Sequence, residues 1–423
     1  MRILIVDTFG AIRSTGKITT LQYQYMKKFG HEVKVCYRGI REPEIENPDF
    51  IKVAGKIEPY VGNILAQTTG LEGYFHPYAT KKLKEYTKDF KPDIVQLNIL
   101  HGYFINSSEY IEFLKEQRIA VSYTMLDEYA YMGKCPFSFE CNQFIDGCKG
   151  NCPNTKNYPR SLFFDKSQRI FNDKKKAYEG FDKIVFTCPQ WVANRAKQSA
   201  LLRDMRVEVL DEPVNFGDRF YPRNTKELKE KLNIDPNKKI VLTVAQLSDP
   251  RKGGKYFYDL AKFLEYRKDI VFVYVGCDTK EPFRLPNLIP IGFIKSQDEL
   301  AEYYSLGDIF VCNSLADTMP NVCIDALGCG TPLAGFAAAG TPYVCTEEYG
   351  TFTPTFDIPA LVDVVLNAQK KTPEIINDCR DYAVGRYAPE VVFKQLESIY
   401  YSLKFRTSPN CLTKNQKGNA NIF

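Results

Sequence analysis

Long apolar runs are missing from this sequence. Nowhere do about 18 apolar residues follow one another, so no membrane-spanning helix is expected. The start, MRILIVDTFG, has a short apolar run broken by Asp7, and no cleavable export pattern follows it. The expectation is a cytoplasmic chain whose 13 cysteines are mostly reduced. Histidine is scarce, with 3 in the chain, and His101 is the one near a motif. The dinucleotide fingerprint G-x-G-x-x-G is absent from both halves, which argues against an NAD(P)-dependent oxidoreductase. Concentrated basic charge is lacking too: residues 1–215 hold 31 Lys/Arg against 26 Asp/Glu, and the remainder holds 25 of each. Interleaved carboxylates of this kind exclude nucleic acid as an expected partner. The mild N-terminal excess suits peripheral contact with the inner membrane surface or a lipid-phosphate acceptor. A solvated surface is the plainer reading.

What is present is an alternation of short apolar runs with helical patterns, over 423 residues, enough for two domains. Strands are predicted at Arg2–Asp7, Glu32–Arg38, Asp93–Leu97, Ala120–Thr124 and Lys183–Thr187. The pattern restarts with strands at Ile240–Ala245, Ile270–Val275, Ile309–Cys312 and Pro332–Gly335. The fold class is therefore α/β, two Rossmann-like parallel-sheet domains. Residues 1–212 form the first and 213–388 the second, with a Pro-containing charged linker over Glu212–Asn237. A helix over 389–405 follows, opened by Pro389 and expected to pack back on the first domain. The polar tail 406–423 is expected to be disordered.

Three loops carry chemistry. Gly10–Lys17 joins a strand to a helix start, where free N–H groups and the helix dipole favour an anion. Lys17 there fits badly with the dipole unless a phosphate lies near. Leu247–Gly254 repeats this layout with Arg251 and Lys252 adjacent, a fork and a point charge suited to a diphosphate. A plain surface turn is the alternative for either loop. The third loop runs Asp317-Thr318-Met319-Pro320-Asn321 into a helix holding Asp325, then a Gly-Cys-Gly-Thr-Pro turn. Its N–H groups can hold a phosphate or a sugar hydroxyl, with Asp317 accepting from sugar hydroxyls and Asp325 from a ribose diol. Asp317 as a simple helix cap is the structural alternative.

The Asp317…Asp325 pair resembles the Glu, seven residues, Glu signature of retaining family 4 glycosyltransferases, which have the GT-B fold. The nearest group is the capsular and exopolysaccharide enzymes of colanic-acid type. The likeness runs over roughly residues 1–400, through Ser14-Thr15-Gly16-Lys17, Pro92-Asp93-Ile94-Val95, His101-Gly102-Tyr103, Leu126-Asp127 and Arg251-Lys252-Gly253. It implies a UDP- or GDP-linked sugar bound by the C-terminal domain and a glycan or lipid-linked acceptor bound by the N-terminal one. Arg251 and Lys252 would stabilise the leaving diphosphate. Gly16 and Lys17 would approach it from the other domain, and Thr318, Met319, Pro320 and Asn321 would line the donor. Asp317 would orient the sugar, Asp325 would hold the ribose, and Asp127 would serve the reaction centre with His101 on the acceptor side. No catalytic metal is implied.

This chain departs from the family pattern in several places. Leu126 stands where relatives carry a histidine, Gln96 and Asn98 also replace histidines, and Gln246 replaces an arginine. Asp325 is a methylene shorter than the usual Glu. These changes motivate a second reading, a catalytically silent nucleotide-sugar-binding relative acting as a partner in polysaccharide assembly. Finally, Cys135, Cys141, Cys148 and Cys152 cluster closely enough for a tetrahedral structural zinc site, though without C-x-x-C knuckles. Disulfides and reduced packing thiols are the alternatives.

Overall fold

Successive side chains of a strand point to opposite faces, so a strand apolar throughout must be covered on both sides. The first strand is apolar over Ile3–Val6 and does this. Leu4 and Val6 enter a core with Leu97, Phe104 and Leu114, while Ile3 and Ile5 enter another with Met26, Val33 and Leu396. The computed structural model describes residues 1–405 apart from Ile12, 40–44, Glu140, Asp218 and 278–284. The tail from 406 and its expected disorder lie outside the described residues.

The first half contains β1 (Arg2–Asp7), β2 (Glu32–Tyr37), β3 (Phe50–Lys52), β4 (Ile94–Leu97), β5 (Ala120–Thr124), β6 (Ile184–Cys188) and β7 (Val207–Val209). They form a 7-stranded sheet in the order β3-β2-β1-β4-β5-β6-β7, with every pairing parallel. Its helices are α1 (Arg13–Lys28), α2 (Glu58–Thr69), α3 (Pro77–Phe90), α4 (Ser107–Glu116), α5 (Ser167–Tyr178) and α6 (Gln190–Ala196).

After α7 (Lys226–Lys231) the second half contains β8 (Lys239–Val244), β9 (Ile270–Val275), β10 (Leu288–Ile291), β11 (Ile309–Cys312), β12 (Leu333–Phe336) and β13 (Gly350–Thr353). This 6-stranded parallel sheet has the order β10-β9-β8-β11-β12-β13. It is flanked by α8 (Gly254–Phe263), α9 (Gln297–Leu306), α10 (Asn321–Gly328), α11 (Ile358–Asn367) and α12 (Pro373–Tyr387). Its faces alternate in the same way: Val271, Val273 and Val275 enter one core, Ile270, Phe272 and Tyr274 the other.

The last helix, α13 (Pro389–Lys404), lies against the first sheet. Val392, Phe393, Leu396 and Tyr400 complete the core of Ile3, Ile5 and Val35. The Tyr400 hydroxyl donates to Gln96 Oε1 at 2.8 Å, and His31 Nε2 meets Glu397 at 2.7 Å. No helix among the described residues is long and apolar enough to cross a membrane.

In both sheets the strand order reverses beside the first strand, between β1 and β4 and between β8 and β11. Loops leaving the carboxyl ends of the two strands diverge there and open a crevice, the usual ligand position in such sheets. The three loops singled out by sequence follow β1, β8 and β11, and the His101 loop follows β4.

Candidate functional site

On the second sheet, the chain leaving β8 makes a tight turn over Pro250–Lys252, capped by Asp249, whose carboxylate accepts from the Arg251 N–H at 3.1 Å. Gly253 closes the turn at φ 66°, and a Cβ there would lie 1.8 Å from the Asn313 carbonyl oxygen. Only glycine lets the two loops approach this closely. The approach aims Lys252 at Asp317: its Nζ donates to Oδ1 at 2.9 Å and Oδ2 at 2.8 Å. Ser314 Oγ donates to Asp317 Oδ2 at 2.6 Å, and the Gly340 N–H to the Asp317 carbonyl at 2.8 Å. Arg251 is adjacent but engaged elsewhere. Its Nε and Nη2 fork onto Asp249 at 3.1 and 2.8 Å, which raises the guanidinium pKa and lowers that of the carboxyl.

Asp317 is not the cap of α10. Pro320 occupies the cap position without a side-chain hydrogen bond, and the Asp317 oxygens go to Lys252 and Ser314 instead. The first N–H groups of α10, beginning at exposed Asn321, therefore have no side-chain cap. Thr318 lines the cleft between the halves, whereas Met319 is buried in the second core and serves packing. Asp325 lies half-buried inside α10 without a side-chain hydrogen bond or ion pair among the described residues, and burial pushes its carboxyl up to about 8.

The first sheet builds a different kind of group. In the parallel register Leu97 of β4 pairs with Tyr123 of β5. His101 and Asp127 each lie four residues beyond their paired partner, so the two loops bring them together. His101 Nε2 donates to Asp127 Oδ2 at 2.7 Å; its Nδ1 meets the Tyr158 hydroxyl at 3.3 Å, and Asp127 Oδ1 accepts from the Tyr129 N–H at 2.8 Å. Burial alone would lower the His101 pKa, but the Asp127 carboxylate outweighs it and the net shift is upward. Buried Glu72 steadies this loop, accepting from Gly102 N–H at 2.9 Å, Tyr103 N–H at 3.0 Å and the Tyr129 hydroxyl at 2.9 Å. Lys174, also buried, donates to the Tyr129, Met132 and Gly133 carbonyls, and burial brings its pKa down to about 7.

Sequence reasoning placed a histidine beside Asp127 only by resemblance and found Leu126 there. The structure supplies the imidazole from His101, in the loop after the neighbouring strand β4. Gln96 and Asn98 face inward. Gln96 donates to Thr124 Oγ1 at 2.8 Å, and Asn98 to Thr19 Oγ1 at 2.8 Å and Gln22 Oε1 at 3.1 Å. Gly16 is buried in α1, where a Cβ would come within 3.1 Å of the Ala11 backbone. Lys17 is exposed, and no hydrogen bond or ion pair among the described residues joins it to Lys252 or Asp317.

Two cavities adjoin these groups. One, of about 190 Å³, is lined by Thr243, Gln246, Phe293, Asn313, Lys252 and Asp317. Asn313 is 3% exposed, and neither its Nδ2 nor its Oδ1 has a hydrogen-bond partner among the described residues. A buried amide in a cavity wall has both its donor and its acceptor available to whatever enters the cavity, and no sequence motif marks it. The other, of about 980 Å³, separates the halves: Glu128, Phe137, Ser138 and Trp191 line one wall, Arg251, Thr318 and Ala338 the other. Glu212 was read only as the start of the linker. Burial first, then the carboxylates of Asp127, Asp211 and Asp317, push its acid up to about 8.

Of the three alternatives for the cysteine cluster, zinc and disulfides find no support among the described residues. Among the described residues no group of three or more His, Cys, Asp or Glu is placed to hold a metal ion. Cys135, Cys141, Cys148 and Cys152 are free thiols. Cys135 and Cys148 belong to the first core with Cys152 packed against it, and Cys141 lines the cleft. Packing of the loop against the core occupies the side chains of Cys135, Cys148 and Cys152.

Residues 238–370, which hold Arg251, Lys252, Asp317 and Asp325, match the family described as Glycosyl transferases group 1. A putative colanic acid biosynthesis glycosyl transferase of Escherichia coli K12 is 21% identical over 257 residues, 58% of this chain and 60% of that protein. The match thus spans less than two thirds of that relative. Alpha-monoglucosyldiacylglycerol synthase of Acholeplasma laidlawii is 22% identical over 89% of this chain and 90% of its own. Anabaena Alr3699/HepE, solved in complex with UDP, superposes with a TM-score of 0.61 at 13% identity, covering 95% of this chain and 100% of that one. By fold this chain is a GT-B protein, residues 238–370 match the group 1 glycosyl transferases, and the chain resembles family 4 glycosyltransferases of the colanic-acid type.

Proposed function

We propose that the protein transfers a sugar from a nucleotide-sugar donor, UDP- or GDP-linked, to a glycan or lipid-linked acceptor in surface polysaccharide synthesis, with retention of anomeric configuration. The observation that carries this reading is the Lys252–Asp317 pair beside buried, unpartnered Asn313, with His101–Asp127 on the other sheet. In this reading the diphosphate enters at Lys252 and Arg251, whose present partners Asp317 and Asp249 are only partly buried and can be exchanged. The bond from the anomeric carbon to the diphosphate oxygen breaks, and Arg251, Lys252 and the uncapped start of α10 stabilise the charge that develops. Asp317, released from Lys252, accepts from sugar hydroxyls. Asp325 holds its proton near neutral pH and offers both a donor and an acceptor to the ribose diol. The acceptor hydroxyl attacks from the face the diphosphate leaves, and the departing diphosphate takes its proton. His101 and Asp127 orient that hydroxyl. Two side-chain cations and a helix dipole at the leaving group support a reaction without a catalytic metal.

The test is nucleoside diphosphate release from a panel of UDP- and GDP-sugars, with and without a lipid-linked saccharide. Release with one donor, increased by acceptor, is expected. Donor binding without any release would point instead to a silent partner protein.

A further inference from the structure

Helix α2 is turned inside out. Its buried residues are the small ones, Pro59, Gly62 and Ala66, whereas Ile57, Tyr60, Val61, Ile64 and Leu65 stand exposed. Their spacing of three and four residues gathers them on one stripe, where a helix covering a sheet would carry polar residues. Ile57 is 73% exposed and Ile64 66%. A second exposed apolar group, Leu162-Phe163-Phe164, adjoins it. The Leu162 N–H donates to the Gln67 carbonyl at 2.7 Å and Arg160 Nε to Gln67 Oε1 at 2.5 Å. At Gly70, which ends α2, a Cβ would lie 2.2 Å from the Phe164 carbonyl oxygen, so loop and helix end are in direct contact. At the other end exposed Tyr78 donates its N–H to Glu58 Oε1 at 2.6 Å. The result is one continuous patch of aliphatic and aromatic side chains rather than scattered exposed residues.

Among the described residues of these two segments the exposed charge has one sign. Lys56, Lys156, Arg160 and Lys166 are exposed along it. The carboxylates within the same two segments turn inward: Glu58 accepts from the Tyr78 and Ala79 N–H groups, and Asp165 from those of Cys152 and Ser167. An apolar stripe with a cationic rim matches the headgroup region of an anionic bilayer, which takes apolar side chains and attracts basic ones. The patch also borders the acceptor side, because Tyr158, just ahead of the loop, meets His101 Nδ1 at 3.3 Å.

We infer that the outer face of α2 and the Leu162–Phe164 loop form a membrane-docking surface that lies in the interface of an anionic bilayer. Docking itself stands apart from the catalytic reading; only the consequence that a lipid-linked acceptor arrives beside His101 rests on it.

The test is co-sedimentation of the full chain with phosphatidylcholine vesicles, with and without phosphatidylglycerol. Binding to the anionic vesicles that weakens with salt is expected. I64E combined with F163E should lower it at least about tenfold, since two exposed apolar side chains that would enter the bilayer are exchanged for charges. K56E with K166E, which leaves the apolar stripe intact, should lower it on anionic vesicles alone. Nucleoside diphosphate release and melting temperature should be unchanged in both variants. Binding to neither vesicle, or equal binding by I64E/F163E, overturns the inference. So does a dimer in solution that I64E/F163E disperses, which would make this face a contact between copies. Vesicle binding without any sugar-nucleotide turnover would leave the docking surface standing and the catalytic reading refuted.

Discussion

The two walls of the cleft are built on opposite electrostatic principles. On the second sheet, Lys252 and Asp317 are 36% and 23% exposed, and Arg251 is 46% exposed on its Asp249 fork. Such pairs are held weakly enough to change partners when a diphosphate arrives. On the first sheet, His101 and Asp127 are 10% and 12% exposed, and their loop is tied to Glu72 by three hydrogen bonds. A buried network of that kind holds one geometry, and removing a member leaves a charge without a partner. In the proposed reading the Lys252–Asp317 wall takes the donor and exchanges ions, and the His101–Asp127 wall faces the acceptor and stays fixed.

Breaking the donor wall should have the largest effect. Lys252→Ala removes the cation at the leaving group and should lower nucleoside diphosphate release by roughly 10² to 10³-fold, with little change in melting temperature. On the acceptor wall His101→Asn should lower transfer by about 10²-fold while sparing slow donor hydrolysis. It should also destabilise the fold, because Asp127 loses its partner. The His101 pKa is raised in the folded state, so its stabilising contribution is complete below the unfolded value and is lost as pH rises through the folded one. Melting temperatures of wild type and H101N should therefore converge as the pH rises. Asn313→Ala sharpens the contrast further. It should weaken donor binding by about tenfold, read as an increase in KM, yet leave stability equal or higher because no buried hydrogen bond is lost. Glu212→Gln should have the smallest effect. The folded-state pKa of Glu212 is raised to about 8 from 4.5, so its charged form costs stability as the pH climbs between those values. The variant should gain roughly 1 kcal/mol above about pH 8 and nothing below about pH 4.5, measured by thermal melts.

The same contrast governs what could be read in the sequence. Strands buried on both faces carry unbroken apolar runs, Ile3–Val6 within β1 and Ile270–Val275 in β9, and stand out for that reason. The edge strands β3, β7, β10 and β13 do not. Phe50–Lys52 and Val207–Val209 are three residues each and partly exposed, and β10 carries Pro290, which an edge tolerates. The donor wall was legible because its groups lie within short loops after apolar strands, so Lys252 and Asp317 are visible as motifs. His101 and Asp127 were legible only singly, through the family resemblance; their pairing was not, because it arises from the register of β4 against β5. Glu72, Lys174 and Asn313 were invisible for a related reason: a buried polar residue is recognised by its surroundings, and a single sequence does not show them.

The central claim, that Asp317 grips the donor and frees Lys252 for the diphosphate, is tested most directly by Asp317→Ala. The measurement is the rate of nucleoside diphosphate release at saturating donor, alongside the melting temperature. A fall of at least about 10²-fold at an unchanged melting temperature is the predicted result. Release at the wild-type rate would contradict the account.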